Sequence, residues 1–152
     1  VVLITWFVSG NKNSPQQLAD AYIQKNFITL DVTMGNMDSL QAGIKLSNAN
    51  QLSESLAMFE RLIKNDPEND EAKKYAGIVS LRLKNYDKAL RYFSMLGKED
   101  LQSNPGKFYK AVTLLERNKI GDKDSAKVLL QQVRDENLEG ENEAAEWLKK
   151  LE

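Results

Sequence analysis

The 152-residue chain contains no cysteine and no histidine. The first absence excludes disulfides, zinc–thiolate sites, iron–sulfur clusters and thiol nucleophiles. The second removes imidazole bases, histidine-paired nucleophiles and most transition-metal sites. Proline is scarce, at three residues, and eight glycines are too few for a collagen-like or low-complexity chain. A surplus of one charge is also missing, since 21 Lys and Arg stand against 22 Asp and Glu. Proteins that hold nucleic acid by neutralising phosphates carry a basic excess, so nucleic acid is not an expected partner. What is present is ordinary globular usage, 41% hydrophobic and 28% charged. The length suits one domain or a short repeat array, and such a chain removes about two-thirds of its unfolded surface from water.

The one markedly apolar run is Val1-Val2-Leu3-Ile4-Thr5-Trp6-Phe7-Val8. It is shorter than the roughly 20 residues of a membrane helix. It reads as the outer end of a single span, with Trp6 at headgroup level. A short element packed on the domain is the alternative. Residues 1–14 are therefore expected to be an apolar segment and linker. Ser14-Pro15-Gln16-Gln17 is a capping box with proline at the first helical position. Leu18, Ala21, Tyr22 and Phe27 follow at near-helical spacing, which predicts a helix over 15–26. The next stretch, Phe27 to Gly35, is β-branched and alternating. A lone strand would leave its backbone groups unsatisfied, so an extended connector laid on the helices is expected through residue 35.

The strongest pattern is a period. Gly43 recurs as Gly77 and Ala111, and Ile44 as Ile78 and Val112, each step being 34 residues. The same stride carries Leu52 to Tyr86, Ser55 to Ala89, Leu56 to Leu90, Phe59 to Phe93 and Leu62 to Leu96. Small residues at the eighth and twentieth positions, aromatics at the twenty-fourth and Asp66-Pro67 at the close resemble the tetratricopeptide repeat, a helix–turn–helix unit of that length. The stretch Leu83-Lys84-Asn85-Tyr86-Asp87-Lys88-Ala89-Leu90 is similar to that family's turn into its second helix. One departure is Leu40, which stands in the first unit where the third has Phe108. The resemblance implies an all-α, right-handed superhelix of about three antiparallel helix pairs, at 36–69, 70–103 and 104–138. In it, the small residues mark the closest approach of paired helices, and Phe59 and Phe93 fill the wedge between units. Pro67 should end a helix because its predecessor is pushed out of the α region, with Asn69 or Asp70 capping the next. Asn104-Pro105 repeats the device.

In the third unit Ala126 falls three residues later than the stride requires. A longer loop is expected, with Asp124 capping a helix at about 125–138 and Gly140 ending it in a left-handed conformation. Residues 141–152 read as a final amphipathic helix, with Ala144, Ala145, Trp147, Leu148 and Leu151 on one side. Its acidic start and basic end suit the helix dipole, and a polar-backed last helix caps such an array.

The family resemblance further implies a concave groove for a protein or peptide partner, lined by the first helix of each unit. Its residues would be Leu40 and Ile44, with Met37 and Ser47, in the first unit. Lys74, Ile78, Leu81 and Arg82, with Glu71, follow in the second, and Phe108, Val112 and Leu115 in the third. The row Ile44–Ile78–Val112 suits a hydrophobic helix or extended peptide. It lacks the polar residues with which some members clamp a terminal carboxylate. An exposed apolar strip of this size is unusual in a soluble monomer, so cover by the helix at 15–26 or by residues 1–8 is an equal expectation. Carboxylate pairs such as Asp66/Asp70 and Asp122/Asp124 lie in turns and caps. No phosphate-binding glycine loop, calcium loop or Gly-x-Ser-x-Gly elbow occurs. The chain is accordingly expected to be a non-catalytic adaptor or scaffold without a cofactor. The apolar start resembles small bacterial tetratricopeptide proteins with one N-terminal span and a periplasmic domain; a cytoplasmic site is the alternative. Self-association, with the groove filled by the chain's own or a neighbour's N-terminal segment, is the competing role.

Overall fold

A computed structural model describes residues 14–32, 38–96 and 103–152. The expectations placed on Val1–Val8 and on Met37 lie outside the described residues, as do the end of the connector and the junction after α5. Eight helices are described: α1 (Pro15–Asn26), α2 (Asp38–Asn48), α3 (Leu52–Asn65), α4 (Asp70–Arg82), α5 (Tyr86–Leu96), α6 (Gly106–Arg117), α7 (Asp122–Asp135) and α8 (Glu141–Leu151). The protein is all-α. From α2 onward each helix packs on the next, in sequential pairs consistent with a helical repeat. Helix α1 departs from this order and packs on α6.

The expected caps form. The Ser14 hydroxyl accepts from the Gln17 amide at 3.2 Å, and the Ser14 amide donates to Gln17 Oε1 at 2.8 Å. Asp66 is extended ahead of Pro67, which ends α3, and Asn69 Oδ1 accepts from the Ala72 amide at 2.9 Å to start α4. Helix α4 lies at the centre and buries every residue from Tyr75 to Leu81. A helix covered on so many sides cannot show a polar stripe.

The 34-residue stride reappears as geometry. A Cβ built on Gly43 would stand 2.5 Å from Phe59 Cε1, and one on Gly77 would stand 2.4 Å from Phe93 Cε1. Both phenyl rings therefore press on a bare Cα of the paired helix. Each ring then meets a tyrosine of the following pair. Phe59 and Tyr75 stack with centroids 5.6 Å apart, and Phe93 meets Tyr109 edge-on at 5.3 Å. Tyr75 and Tyr109 are themselves one stride apart. The turn within each pair repeats too: Asn50, Lys84 and Asn118, again one stride apart, all hold positive φ, at 60°, 58° and 51°. In the first two, the following amide reaches back to close the helix, Gln51 to the Leu46 carbonyl at 2.8 Å and Asn85 to that of Ser80 at 2.9 Å.

The third pair corrects two expectations. Helix α7 starts at Asp122, not 125, and ends at Asp135, so Asp124 is no cap. Asp122 instead accepts from Arg117 Nε and Nη2, at 2.9 and 2.7 Å, and from the Lys119 amide at 2.9 Å. This buried fork pins the longer loop and holds the Asp122 carboxyl below its usual range, chiefly through Arg117. Gly140 is left-handed, but it stands at the N-terminal cap of α8. The turn after α7 is closed by left-handed Asn137 and by the Leu138 amide on the Val133 carbonyl at 2.9 Å. Gly140 faces Phe108, whose Cγ would lie 2.5 Å from an added Cβ. Ring and bare backbone meet there as they do at Gly43 and Gly77.

Gly77→Ala should lower stability by about 1–3 kcal/mol through overpacking, read from the urea midpoint. Counting the three-residue insertion, the third pair aligns Ala111 with Leu130, so Phe93→Leu should be the compensating change. A double-mutant cycle should find Gly77→Ala/Phe93→Leu less destabilised than the sum of its parts. Lys84 carries a left-handed backbone where its stride partners have asparagine. Lys84→Asn should raise stability by up to about 1 kcal/mol in the same assay.

Candidate functional site

The residues expected to line a groove lie on α2, α4 and α6, and the apolar ones are buried. Leu40, Ile44, Ile78, Leu81, Phe108, Val112 and Leu115 are all at most 3% exposed. Helix α1 packs on α6, and Leu30 beyond it bonds to Asn48 at the end of α2. Leu18, Ala19, Ile23, Phe27 and Leu30 of that layer are buried as well. Tyr22 meets Phe108 and Trp147 edge-on, at 5.1 and 5.9 Å, and Phe27 meets Tyr109 at 4.9 Å. Gln16 Nε2 donates to the Glu116 carbonyl at 3.0 Å.

The two expected cations stand at the rim. Lys74 pairs with Glu71 at 2.8 Å and borders a cleft of about 300 Å³ shared with Phe27, Leu30, Asp31 and Tyr109. Arg82 ties the end of α4 to that of α2, donating to the Ser47 hydroxyl at 2.7 Å and its carbonyl at 3.1 Å. It is thus a staple between pairs, and Ser47 is its buried acceptor.

Asn48 carries a role that the sequence does not announce. Its side-chain amide pairs with both main-chain groups of Leu30: Oδ1 accepts from the Leu30 amide at 2.8 Å, and Nδ2 donates to the Leu30 carbonyl at 2.9 Å. A single asparagine thereby supplies what a neighbouring strand would supply to an extended residue. The described part of the expected extended connector instead opens with a helical C-cap at Phe27 and bends at 28–29. Tyr22 and Tyr109 complete the aromatic floor. Burial, with Glu143 and Glu139 nearby, pushes the Tyr22 phenol up to about 12, and burial raises that of Tyr109 further.

Carboxylates at this interface are held in an unfavourable setting. Burial, and then Asp20 of α1, raise the Glu116 carboxyl above its usual range, with Lys84 opposing. Its Oε2 is buried without a hydrogen-bond partner among the described residues. Burial likewise raises Glu139, opposed by Lys74. Among the described residues, no group of three carboxylates converges to hold a metal ion.

Comparison with protein-family models, with curated proteins and with solved structures found no match in any of the three. What the arrangement can do is hold a chain segment, through apolar sockets and one main-chain clamp.

A carboxyl whose folded value lies above its unfolded one stabilises the fold while protonated and loses that contribution as pH rises through the folded value. Glu116→Gln should therefore tighten α1 on α6 at neutral pH. Amides of α1 should exchange more slowly in the variant than in the parent at pH 7. The difference should vanish below the unfolded glutamate value of about 4.3.

Proposed function

We propose that the chain is a non-catalytic protein–protein interaction module of the tetratricopeptide kind, a right-handed superhelical array used as an adaptor or scaffold. The observation that carries this reading is the apolar face of α2, α4 and α6, seven side chains wide and covered by a segment from outside the sequential stack. A stack needs its apolar interior between consecutive helices. A second apolar face running across three pairs is surplus to that need, and it suits an occupant. Recurring phenyl–glycine contacts and left-handed turns at the family's repeat length support the family reading.

The occupant in place is the chain's own residues 15–30. This favours the competing role, a groove filled by its own or a neighbour's N-terminal segment, as the resting state of the same module. It also changes what mutation should do. Ile78, if exposed, could become glutamate without loss of fold. At 3% exposure, Ile78→Glu would bury an unpaired charge and unfold the pair. Attachment to the bacterial cell envelope, with the array on the periplasmic side, belongs to this proposal. The apolar run at residues 1–8 supports it, and no described helix is long and apolar enough to cross a membrane.

The test uses Ile23→Asp, which disrupts α1 and leaves the stacked pairs intact. A photo-crosslinker at position 74, beside the covered face, is compared with one at position 91 on α5. Protein adducts should form at position 74 and increase in the Ile23→Asp chain, while those at position 91 stay unchanged. Equal labelling at both positions in both chains would place binding elsewhere.

A further inference from the structure

We infer that the edge formed by the α4–α5 and α6–α7 turns, with Ile120 at its tip, is a membrane-contact surface that seats on anionic lipid headgroups. The inference rests on the membrane-attachment reading above and adds the part of the array that meets the bilayer. Three observations carry it.

First, Ile120 is presented to solvent by a loop that is itself held in place. It is fully exposed, more so than any other large hydrophobic residue described. It lies where the third pair exceeds the 34-residue stride, and a Cβ built on the adjacent Gly121 meets nothing within 4 Å, so the tip stands clear of the body. Asp122 nevertheless fastens the loop, through the Arg117 guanidinium and the Lys119 amide. An apolar side chain held in water gains nothing for the fold, and a fastened loop loses little further freedom when that side chain is buried on binding.

Second, the charge of this edge departs from that of the chain. Residues 83–87 and 117–128 hold Lys84, Arg117, Lys119, Lys123 and Lys127 against Asp87, Asp122 and Asp124, in a chain of formal net charge −1. Arg117 occupies Asp87 and Asp122 at 3.0 and 2.7 Å, whereas none of the four lysines forms an ion pair among the described residues. Leu83 and Lys84 border a hollow of about 410 Å³ together with Arg117 and Lys119, which makes the two turns one surface. Lys123, Lys127 and the half-exposed Val128 follow on the first two turns of α7. Unpaired lysines around exposed aliphatic side chains match an anionic bilayer surface, with headgroups for the ammonium groups and the acyl boundary for the isoleucine.

Third, the apolar run joins the array at this edge. Gln16 Nε2 donates to the carbonyl of Glu116, the residue before Arg117, so the start of α1 stands at the end of α6. Five residues separate Val8 from Ser14. They reach at most about 20 Å when fully extended. The run and the lysine-rich edge are thus two weak signals for one surface, and stable attachment takes two. The acids Asp20 and Glu116 border a separate cleft, with Gln16 and Gln17, between α1 and α6.

The full chain is to be cosedimented with vesicles of phosphatidylcholine, and with vesicles in which about one-quarter of the lipid is phosphatidylglycerol. Because the chain has no cysteine, Ile120→Cys gives a single site for an environment-sensitive dye, and Arg91→Cys on α5 gives the control. The dye at position 120 should brighten and shift to the blue on the anionic vesicles, and the dye at position 91 should not. Ile120→Ser should weaken binding to those vesicles by about tenfold, through the aliphatic burial lost. Lys119→Gln/Lys123→Gln should weaken it by about tenfold as well and remove the preference for phosphatidylglycerol. Arg61→Gln/Lys64→Gln, an equal loss of charge on the last turn of α3, should change binding by no more than about twofold. The replaced side chains are all exposed, so urea midpoints should match the parent's.

A silent dye at position 120, with binding unchanged in Ile120→Ser and in the double lysine variant, overturns the inference and leaves attachment by the apolar run standing. Failure of the full chain to bind either kind of vesicle overturns it together with the attachment reading. A dimer that Ile120→Ser dissociates also overturns it, and makes a second copy the occupant of this edge.

Discussion

The structure depends on one contact, a phenyl ring lying on a glycine Cα, made twice within a helix pair. Phe59 on Gly43 and Phe93 on Gly77 bring paired helices closer than any side chain at those glycines would permit. Each ring's far side is then left at the edge of its pair, where a tyrosine of the next pair covers it. Pairing and stacking are thus not independent. The ring that closes one pair is also the surface on which the next is built, so stability passes along the array by nearest neighbours. Ser55 adds a polar version in the first pair, its hydroxyl donating to the Gly43 carbonyl at 2.8 Å. Between pairs, Glu60 of α3 takes Lys88 and the Tyr92 hydroxyl of α5. Burial alone would raise the Glu60 carboxyl, but these two bonds hold it below its usual range.

How much of this could be read beforehand depended on whether the cause was local or periodic. The capping box at Ser14, the stop at Pro67 and the cap at Asn69 are set by residues within four positions, and they stand where expected. The glycine–phenyl pairs lie 16 residues apart, but the stride displayed them twice. Tyr75 and Tyr109 obey the same stride and were open to the same reasoning. The left-handed backbone at Lys84 was not, because lysine has no preference for it; only Asn50 and Asn118 in register hinted at it. Helix α7 was misplaced because Asp124 satisfies a local rule. Asp122 satisfies a stronger one, a buried fork to Arg117 that ordinary capping preferences do not contain.

The candidate site was legible as a set of residues, while its cover was open to two readings. Position within the repeat put Ile44, Ile78 and Val112 in one row, and in the structure all three are buried. Whether that face met solvent depended on where residues 15–32 settled. A helix of this length can lie against any apolar surface, so periodicity alone could not choose. Asn48 was invisible for a related reason. An asparagine at the end of a helix before a turn is commonplace, and its bonds to Leu30 join residues 18 apart whose pairing no pattern marks.

The interface under α1 differs in kind from the interfaces of the stack. Within the stack, charges are satisfied: Asp122 has Arg117, Glu60 has Lys88 and Tyr92, and Lys73 has Asp70. Under α1 they are not. Glu116 faces Asp20 with one oxygen unpartnered among the described residues, and Glu139 is partly desolvated beside two tyrosines. A carboxylate kept short of partners lowers the stability of whatever buries it. The aromatic contacts of Tyr22 and Phe27 offset that loss, so α1 stays seated by a smaller margin than the pairs beneath it. Segments that open below the global unfolding free energy are those with such a margin. A cover made to remain for the life of the fold would gain from amides in place of Glu116 and Asp20. Retaining acids there keeps α1 less tightly seated than the helices beneath it.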